Sequence, residues 1–194
     1  MHRQPLIEAL DAYHPRDGDD EAMRHRVRSF VTGNAECFDR RFAPGHITGA
    51  AWLLDADGKC VLLTHHRKLN KWLQLGGHAD GNPDVLDAAL REAREESGIA
   101  SIIPVSDAIF DLDVHSIPAY GNEPAHLHYD VRFLMQVVGD CRFRVSDESI
   151  DLAWVGRGDP LWMNVDASVH RMHDKWVNGF LERCVRPEAM HRRP

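Results

Sequence analysis

The stretch Gly76-Gly77-His78-Ala79-Asp80-Gly81-Asn82-Pro83, taken up again at Arg91-Glu92-Ala93-Arg94-Glu95-Glu96-Ser97-Gly98-Ile99, decides how the rest of the chain is read. It reads as a glycine loop feeding a helix whose C-terminal half is crowded with carboxylates. Leu86, Ala89, Leu90 and Ala93 recur at helical spacing and are expected to face a core. At about 100° per residue, Glu92, Glu95 and Glu96 fall together on roughly the opposite face. Like charges at i,i+4 destabilise a helix by about a few tenths of a kcal/mol, so this face calls for a compensating cation. Arg91 and Arg94 supply part of it, and a hard, oxygen-preferring ion such as Mg²⁺ suits the remainder. The bland alternative is an acidic face held only by solvent.

The grammar around the cluster favours the ion. Its spacing resembles the Nudix box, G-x5-E-x7-R-E-U-x-E-E-x-G-U with U a bulky aliphatic residue. Gly77, Arg91, Glu92, Glu95, Glu96, Gly98 and Ile99 match, and Ala93 is a small U. The box's first glutamate is Pro83 here. Asn82 is expected to cap the helix with Pro83 at N1, where proline sacrifices no hydrogen bond, and Asp84 and Asp87 then suit the positive end of the helix dipole. In the family that glutamate mainly supports the loop and the box arginine; Asp80 is a partial replacement. The departure therefore bears on loop rigidity more than on metal binding.

Composition sets the outer bounds. A chain of 194 residues with 43% hydrophobic content is one globular domain with room for a core. A net charge of −7 argues against a general nucleic-acid-binding surface. No apolar run reaches the ~18 residues of a membrane span, and no apolar segment follows Met1-His2-Arg3-Gln4-Pro5, so a cytoplasmic protein without membrane contact is expected. Cys37, Cys60, Cys141 and Cys184 are scattered, as befits reduced structural thiols.

Outward from the box, three segments are expected. Residues 1–44 form an N-terminal helical extension, with helices over 4–13 and 21–32 and a further turn or two at 35–42. This arm packs on the domain or at a homodimer interface; the sequence leaves both open. Residues 45–185 form the catalytic domain, and 186–194 a frayed basic tail. Within the domain, Ile47–Leu54 and Lys59–His65 read as a hairpin, and Ser101–Val114 as one or two strands. Ser116–Pro124 reads as a loop over the site, Ala125–Val137 as a long strand, and Cys141–Ser146 as a strand fragment. Ile150–Val155 is a late strand, and a closing helix starts at Asp166 and runs to about Cys184, with Val169, Met172, Trp176, Phe180 and Val177 inward. Periodicity alone gives mixed α and β (α/β, α+β mixed sheet); the resemblance implies a Nudix α/β/α sandwich.

The resemblance also implies a reaction. Glu95 and Glu96 would be Mg²⁺ ligands, with Mn²⁺ as a substitute, and Glu92 a further ligand or the base. Arg91 would orient a glutamate, and Gly76 and Gly77 would bring backbone close to the ion. Glu148, in a Ser-Asp-Glu-Ser turn, is the candidate for a carboxylate outside the box. Arg67 and Lys68, with Lys71, lie in a basic loop beside the expected phosphates. Along the 125–137 strand, His126, His128 and Asp130 project to one side, as either a solvated polar face or a functional one; in the functional reading His78, His126 and His128 touch substrate rather than Mg²⁺, with His65 and His66 nearby. Trp72, Tyr120 and Tyr129 are stacking candidates more at home in a core or rim. The activity implied is Mg²⁺-dependent cleavage of a pyrophosphate linkage in a nucleoside diphosphate joined to another moiety, a small-molecule nucleotide or other pyrophosphate compound. The alternatives are a silent nucleotide-binding sensor of the same fold, which the intact Glu92/Glu95/Glu96 set disfavours, and an isomerase like the isopentenyl-diphosphate isomerases. The latter need a cysteine near the metal loop, and none lies near Gly77.

Overall fold

In the computed structural model, which describes residues 2–119, 121 and 124–178, one strand organises the sheet. Strand β1 (Gly45–Leu54) is buried at every position, as a strand covered on both faces must be. It pairs in parallel with β6 (His126–Val137) and antiparallel with the short β4 (Leu75–His78). Beyond β6 lies the edge strand β5 (Ile102–Ile117); on the other side β2 (Cys60–His66) pairs with β3 (Lys71–Leu73) and with β7 (Ser149–Gly156). The result is a seven-stranded mixed sheet.

Alternation along β1 feeds two cores. Ile47, Ala51 and Leu53 join Val131, Phe133 and Met135 under helix α3 (Val85–Ser97) and the N-terminal helices α1 (Gln4–Ala12) and α2 (Gly18–Gly33). Trp52 and Leu54 join Leu134 and Phe110 on the opposite face, under Trp162 and the Val169, Met172 and Trp176 stripe of α4 (Ala167–Val177). Helix layers thus cover both faces. The N-terminal arm belongs to the first: Leu6, Leu10, Val27 and Val31 are buried, and the Phe30 ring stacks on Tyr129 at 3.7 Å.

Close approach seats α3. A Cβ at Gly49 would lie 2.8 Å from the Val85 carbonyl oxygen and 3.0 Å from the Ala89 nitrogen, so the helix backbone lies directly on β1 through its Ala88, Ala89 and Ala93 side. The helix ends at Gly98, whose φ of 69° is left-handed and whose amide returns to the Arg94 carbonyl.

The structure differs from the sequence reading in four places. The helix begins two residues later than expected: Asp84, not Asn82, is the cap, accepting from the Asp87 amide at 3.0 Å, while Asn82 accepts from the Asp84 amide and Pro83 stays in the loop. The glycine loop is partly a strand, because Gly76 (φ 155°) and Gly77 are extended and pair with Ala50 and Gly49. β1 and β2 share only the Leu54↔Val61 pairing before they part to β4 and β7. Finally, Cys141–Ser146 is not a strand; Arg144 donates to the Ser97 carbonyl and Trp154 to the Cys141 carbonyl, which engages this backbone without a ladder. The 35–42 segment is a series of turns. Phe180, Cys184 and the 186–194 tail lie outside the described residues, as does Tyr120.

Candidate active site

Helix α3 presents its glutamates to β4. Glu96 lies on the Ala89–Ala93 side of the helix, three residues past Ala93, and is only 7% exposed; the expectation that it shares the outer face with Glu92 and Glu95 is corrected here. Its Oε2 accepts from the Gly76 amide at 3.2 Å. Burial pushes its pKa up to about 8; the Gly76 amide opposes this, and the charges of Glu92, Glu148 and Glu95 reinforce it. Glu92 is also raised by burial, against the pull of Arg91. A Cβ at Gly77 would sit 2.5 Å from the Glu92 carboxyl carbon, so only glycine leaves room for that side chain. Glu95 is mostly exposed.

Arg91 organises this group without entering it. One guanidinium nitrogen reaches Glu92 at 2.7 Å and Glu95 at 3.2 Å, and the other donates to the His78 carbonyl at 2.9 Å, tying helix to strand. Glu148 comes close enough that its charge raises both Glu92 and Glu96. Arg67 holds the turn that bears it, donating to the carbonyls of Asp147 at 3.0 Å and Ser149 at 2.7 Å. Arg67 is thereby engaged by the backbone that bears Glu148, and Lys68 lies exposed beside it in the 67–70 turn.

A second group lies across the sheet from α3. Gly77 faces the helix, so its neighbour His78 faces away, alongside Thr48. In the parallel ladder His46 stands opposite His128, which stands opposite His115 on β5. Ring centroids of His46 lie 4.8 Å from His128 and 5.0 Å from both His78 and His126. Burial, with neighbouring imidazoles adding to it, depresses His46 to about 4 and His128 to about 2. His115 shifts the other way: burial opposes its charge, but the hydrogen bond from its Nδ1 to the Asp113 carboxylate at 3.1 Å wins.

Sequence reasoning found His78, His126 and His128 but missed His46 and His115, whose membership depends on register between strands far apart in the chain. His65 and His66 do not join: His65 stacks on Trp72 at 5.0 Å, and His66 accepts from the Leu69 amide. Asp130 shares the histidine face yet is engaged elsewhere, by Thr48 at 2.7 Å, Gln74 at 3.1 Å and Arg132 at 2.8 Å. It opens a buried ionic network in which Arg132, Arg171 and Lys175 surround Asp111 and Asp113.

The donor set on α3 fits a hard divalent ion. Glu96 is a buried carboxylate with one amide partner and no protein cation among the described residues, and further acids converge on it electrostatically. Comparison with known proteins identifies the family and the fold. A family model described as NUDIX domain matches residues 45–182. The fold resembles a Caenorhabditis elegans Ap4A hydrolase (TM-score 0.55, 19% identity, covering 71% of this chain and 98% of that one). It also resembles a MutT protein from Methanosarcina mazei (0.56, 22%, 71% and 96%) and the Escherichia coli dihydroneopterin triphosphate pyrophosphohydrolase (0.53, 14%, 69% and 96%). At these identities the likeness is one of fold. No curated protein matches by sequence. Among the described residues no helix is long and apolar enough to cross a membrane.

Proposed function

The chain belongs to the NUDIX domain family, and from that premise we propose that it is a hydrolase that cleaves, with Mg²⁺, the pyrophosphate linkage of a nucleoside diphosphate joined to another moiety. Mn²⁺ is the natural substitute, since both ions favour oxygen donors. The observation that carries this reading is Glu96: a buried carboxyl pushed up to about 8, with no cation beside it among the described residues. A side chain so placed is stable as an anion only when a positive solute joins it.

Glu95 and Glu96 would hold the ion, with Glu148 completing the acidic ring from the β7 side. When bound, the ion relieves charge on the phosphate oxygens and lowers the pKa of an attacking water. Glu92 would accept the proton of the attacking water. Arg91 engages its Oε1 at 2.7 Å, which directs the proton to Oε2, and burial raises its pKa toward the range of a working base. Arg91 fixes the rotamers of Glu92 and Glu95, and Arg67 fixes the Glu148 turn. Lys68 is assigned to the substrate phosphates as a point charge.

The test is a panel of nucleoside diphosphate-linked compounds incubated with Mg²⁺ and scored for phosphate-containing products. Turnover of at least one member should be seen, with kcat falling on the order of 10²-fold or more in Glu96→Gln. Tight binding of a panel member without turnover would replace this reading with that of a nucleotide sensor.

A further inference from the structure

Three imidazoles on the far side of β4 gather their nitrogens within 4.8 Å, and they are the one such group of three among the described residues. We propose that His46, His78 and His128, with His126 as a fourth ligand, form a binding site for a divalent d-block cation of the zinc class, separate from the carboxylate site on α3.

Donor chemistry separates the two sites. Imidazole nitrogen suits zinc, copper, iron and nickel, whereas Mg²⁺ keeps to oxygen. Position separates them as well, because Gly77 turns toward Glu92 and His78 turns to the opposite face of the same strand.

The strongest observation is His46. It is 2% exposed, and neither ring nitrogen has a hydrogen-bond partner among the described residues. Buried polar atoms are ordinarily satisfied, and a neutral imidazole carries one lone pair and one N–H, so an unpartnered ring amid other imidazoles points to a ligand that accepts that lone pair. A purely hydrogen-bonded histidine stack does not meet this need. It gives His126 and His128 to each other and still leaves His46 with none.

His126 shows how a ligand is oriented. Its Nδ1 lies 2.9 Å from the Pro124 carbonyl, which can only accept, so Nδ1 carries the proton and Nε2 the lone pair. That lone pair faces His128 Nε2 at 3.3 Å. With Zn–N arms of about 2.0–2.1 Å, adjacent ligands of a tetrahedral site stand about 3.3 Å apart, so this pair already spans one edge. His46 and His78 need only close inward. A cleft of about 220 Å³, lined by Arg40, Phe42, His46, His78 and His126, gives an ion access from solvent.

Four protein ligands make a closed site, which marks a structural ion more than a catalytic one. It would clamp β1, β4 and β6 at one end of the sheet and fix the segment entering β6 at Pro124. His115 stays outside the set, its ring held by Asp113.

The experiment uses the full chain stripped with a chelator, then titrated with Co²⁺ or Zn²⁺ while Mg²⁺ saturates the carboxylates. Co²⁺ should bind one-to-one with the intense visible absorption of tetrahedral nitrogen ligation, and Zn²⁺ should raise Tm. His128→Gln should weaken binding on the order of 10²-fold, while Glu96→Gln should leave the spectrum unchanged. His46→Leu should abolish the Zn²⁺-induced Tm rise and, by removing an unsatisfied buried ring, raise the metal-free Tm by about 2–4 °C. A weak octahedral Co²⁺ spectrum, no one-to-one binding by the wild-type chain, or a spectrum lost in Glu96→Gln but kept in both histidine variants would overturn the proposal.

Discussion

Asp111 on β5 and Glu96 on α3 are both buried carboxyls, yet they meet opposite company. Asp111 is fully buried and lies 3.0 Å from Arg132, 2.9 Å from Arg171 and 2.7 Å from Lys175. Glu96 meets one backbone amide at 3.2 Å. The consequence appears in their acidities: the guanidinium of Arg171 and the charges of Arg132 and Lys175 outweigh burial and hold Asp111 below the usual carboxylate range, while burial pushes Glu96 up to about 8. Where the fold intends a buried anion as structure, it brings its own cations. Where the described residues leave the anion with none, the proposed function draws the missing charge from solution.

The two regions should therefore respond oppositely to substitution and to pH. The largest effect is expected in the self-compensated network. Arg132→Met leaves Asp111, Asp113 and Asp130 short of a buried cation and should cost about 3–5 kcal/mol, read from denaturant unfolding. A loss under about 1 kcal/mol would show that Arg171 and Lys175 suffice, and that the network is less tightly balanced than its distances imply.

Next comes Gly77→Ala. Its methyl would meet the Glu92 carboxylate, and a displacement of about 1 Å of a reacting group can cost on the order of 10²-fold in kcat. The variant should still fold, because that clash is with a flexible side-chain end; far-UV circular dichroism checks this while turnover is measured. Unimpaired turnover would remove Glu92 from the chemistry.

Smaller effects come from the helix start. Asp84→Ala deletes the observed cap and should lower stability by about 1 kcal/mol, equally with and without Mg²⁺, since the cap lies at the other end of α3 from Glu96. Pro83→Glu should change kcat least of all. A large gain there would show that the absent box glutamate matters chemically and that Glu148 does not complete the site.

These contrasts also explain what was legible in the sequence. The glutamates were readable because their relation is local: one helix fixes the spacing of Glu92, Glu95 and Glu96, and Gly77 and Arg91 carry the same grammar. On the helical wheel Glu96 falls between Glu92 and Ala89, so polarity alone assigns it to the outer face, although its carboxyl is buried on the inner one. The histidine group was half legible. His126 and His128 share a face by simple alternation, but His46 joins through a parallel pairing 82 positions away in sequence (128 − 46), and no local pattern encodes that register. The cap was misassigned for a similar reason: Asn82, Pro83 and Asp84 all suit a helix start, and packing of Val85 and Ala89 on Gly49 decides among them. Cys141–Ser146 has strand-like residues, but Arg144 and Trp154 tie it to the end of α3 and to β7 instead.

The sign of the pH effect follows from the same comparison. Asp111 and Asp113 have folded pKa values below the unfolded one, so their contribution is present at neutral pH and lost on acidification. Glu96 has a folded pKa above its ordinary value of 4.5, so the metal-free native state holds the extra proton, and stability falls as pH rises from that value through about 8. A divalent ion bound by the carboxylate removes that loss. The most direct measurement titrates Mg²⁺ into chelator-stripped protein near pH 8, following thermal melting and hydrolysis of a nucleoside diphosphate-linked substrate in the same samples. Tm and product formation should rise together with Mg²⁺, and Glu96→Gln should melt at least as high as wild type without metal yet show neither rise. Hydrolysis that persists at full rate in chelator, or in Glu96→Gln, would contradict the account.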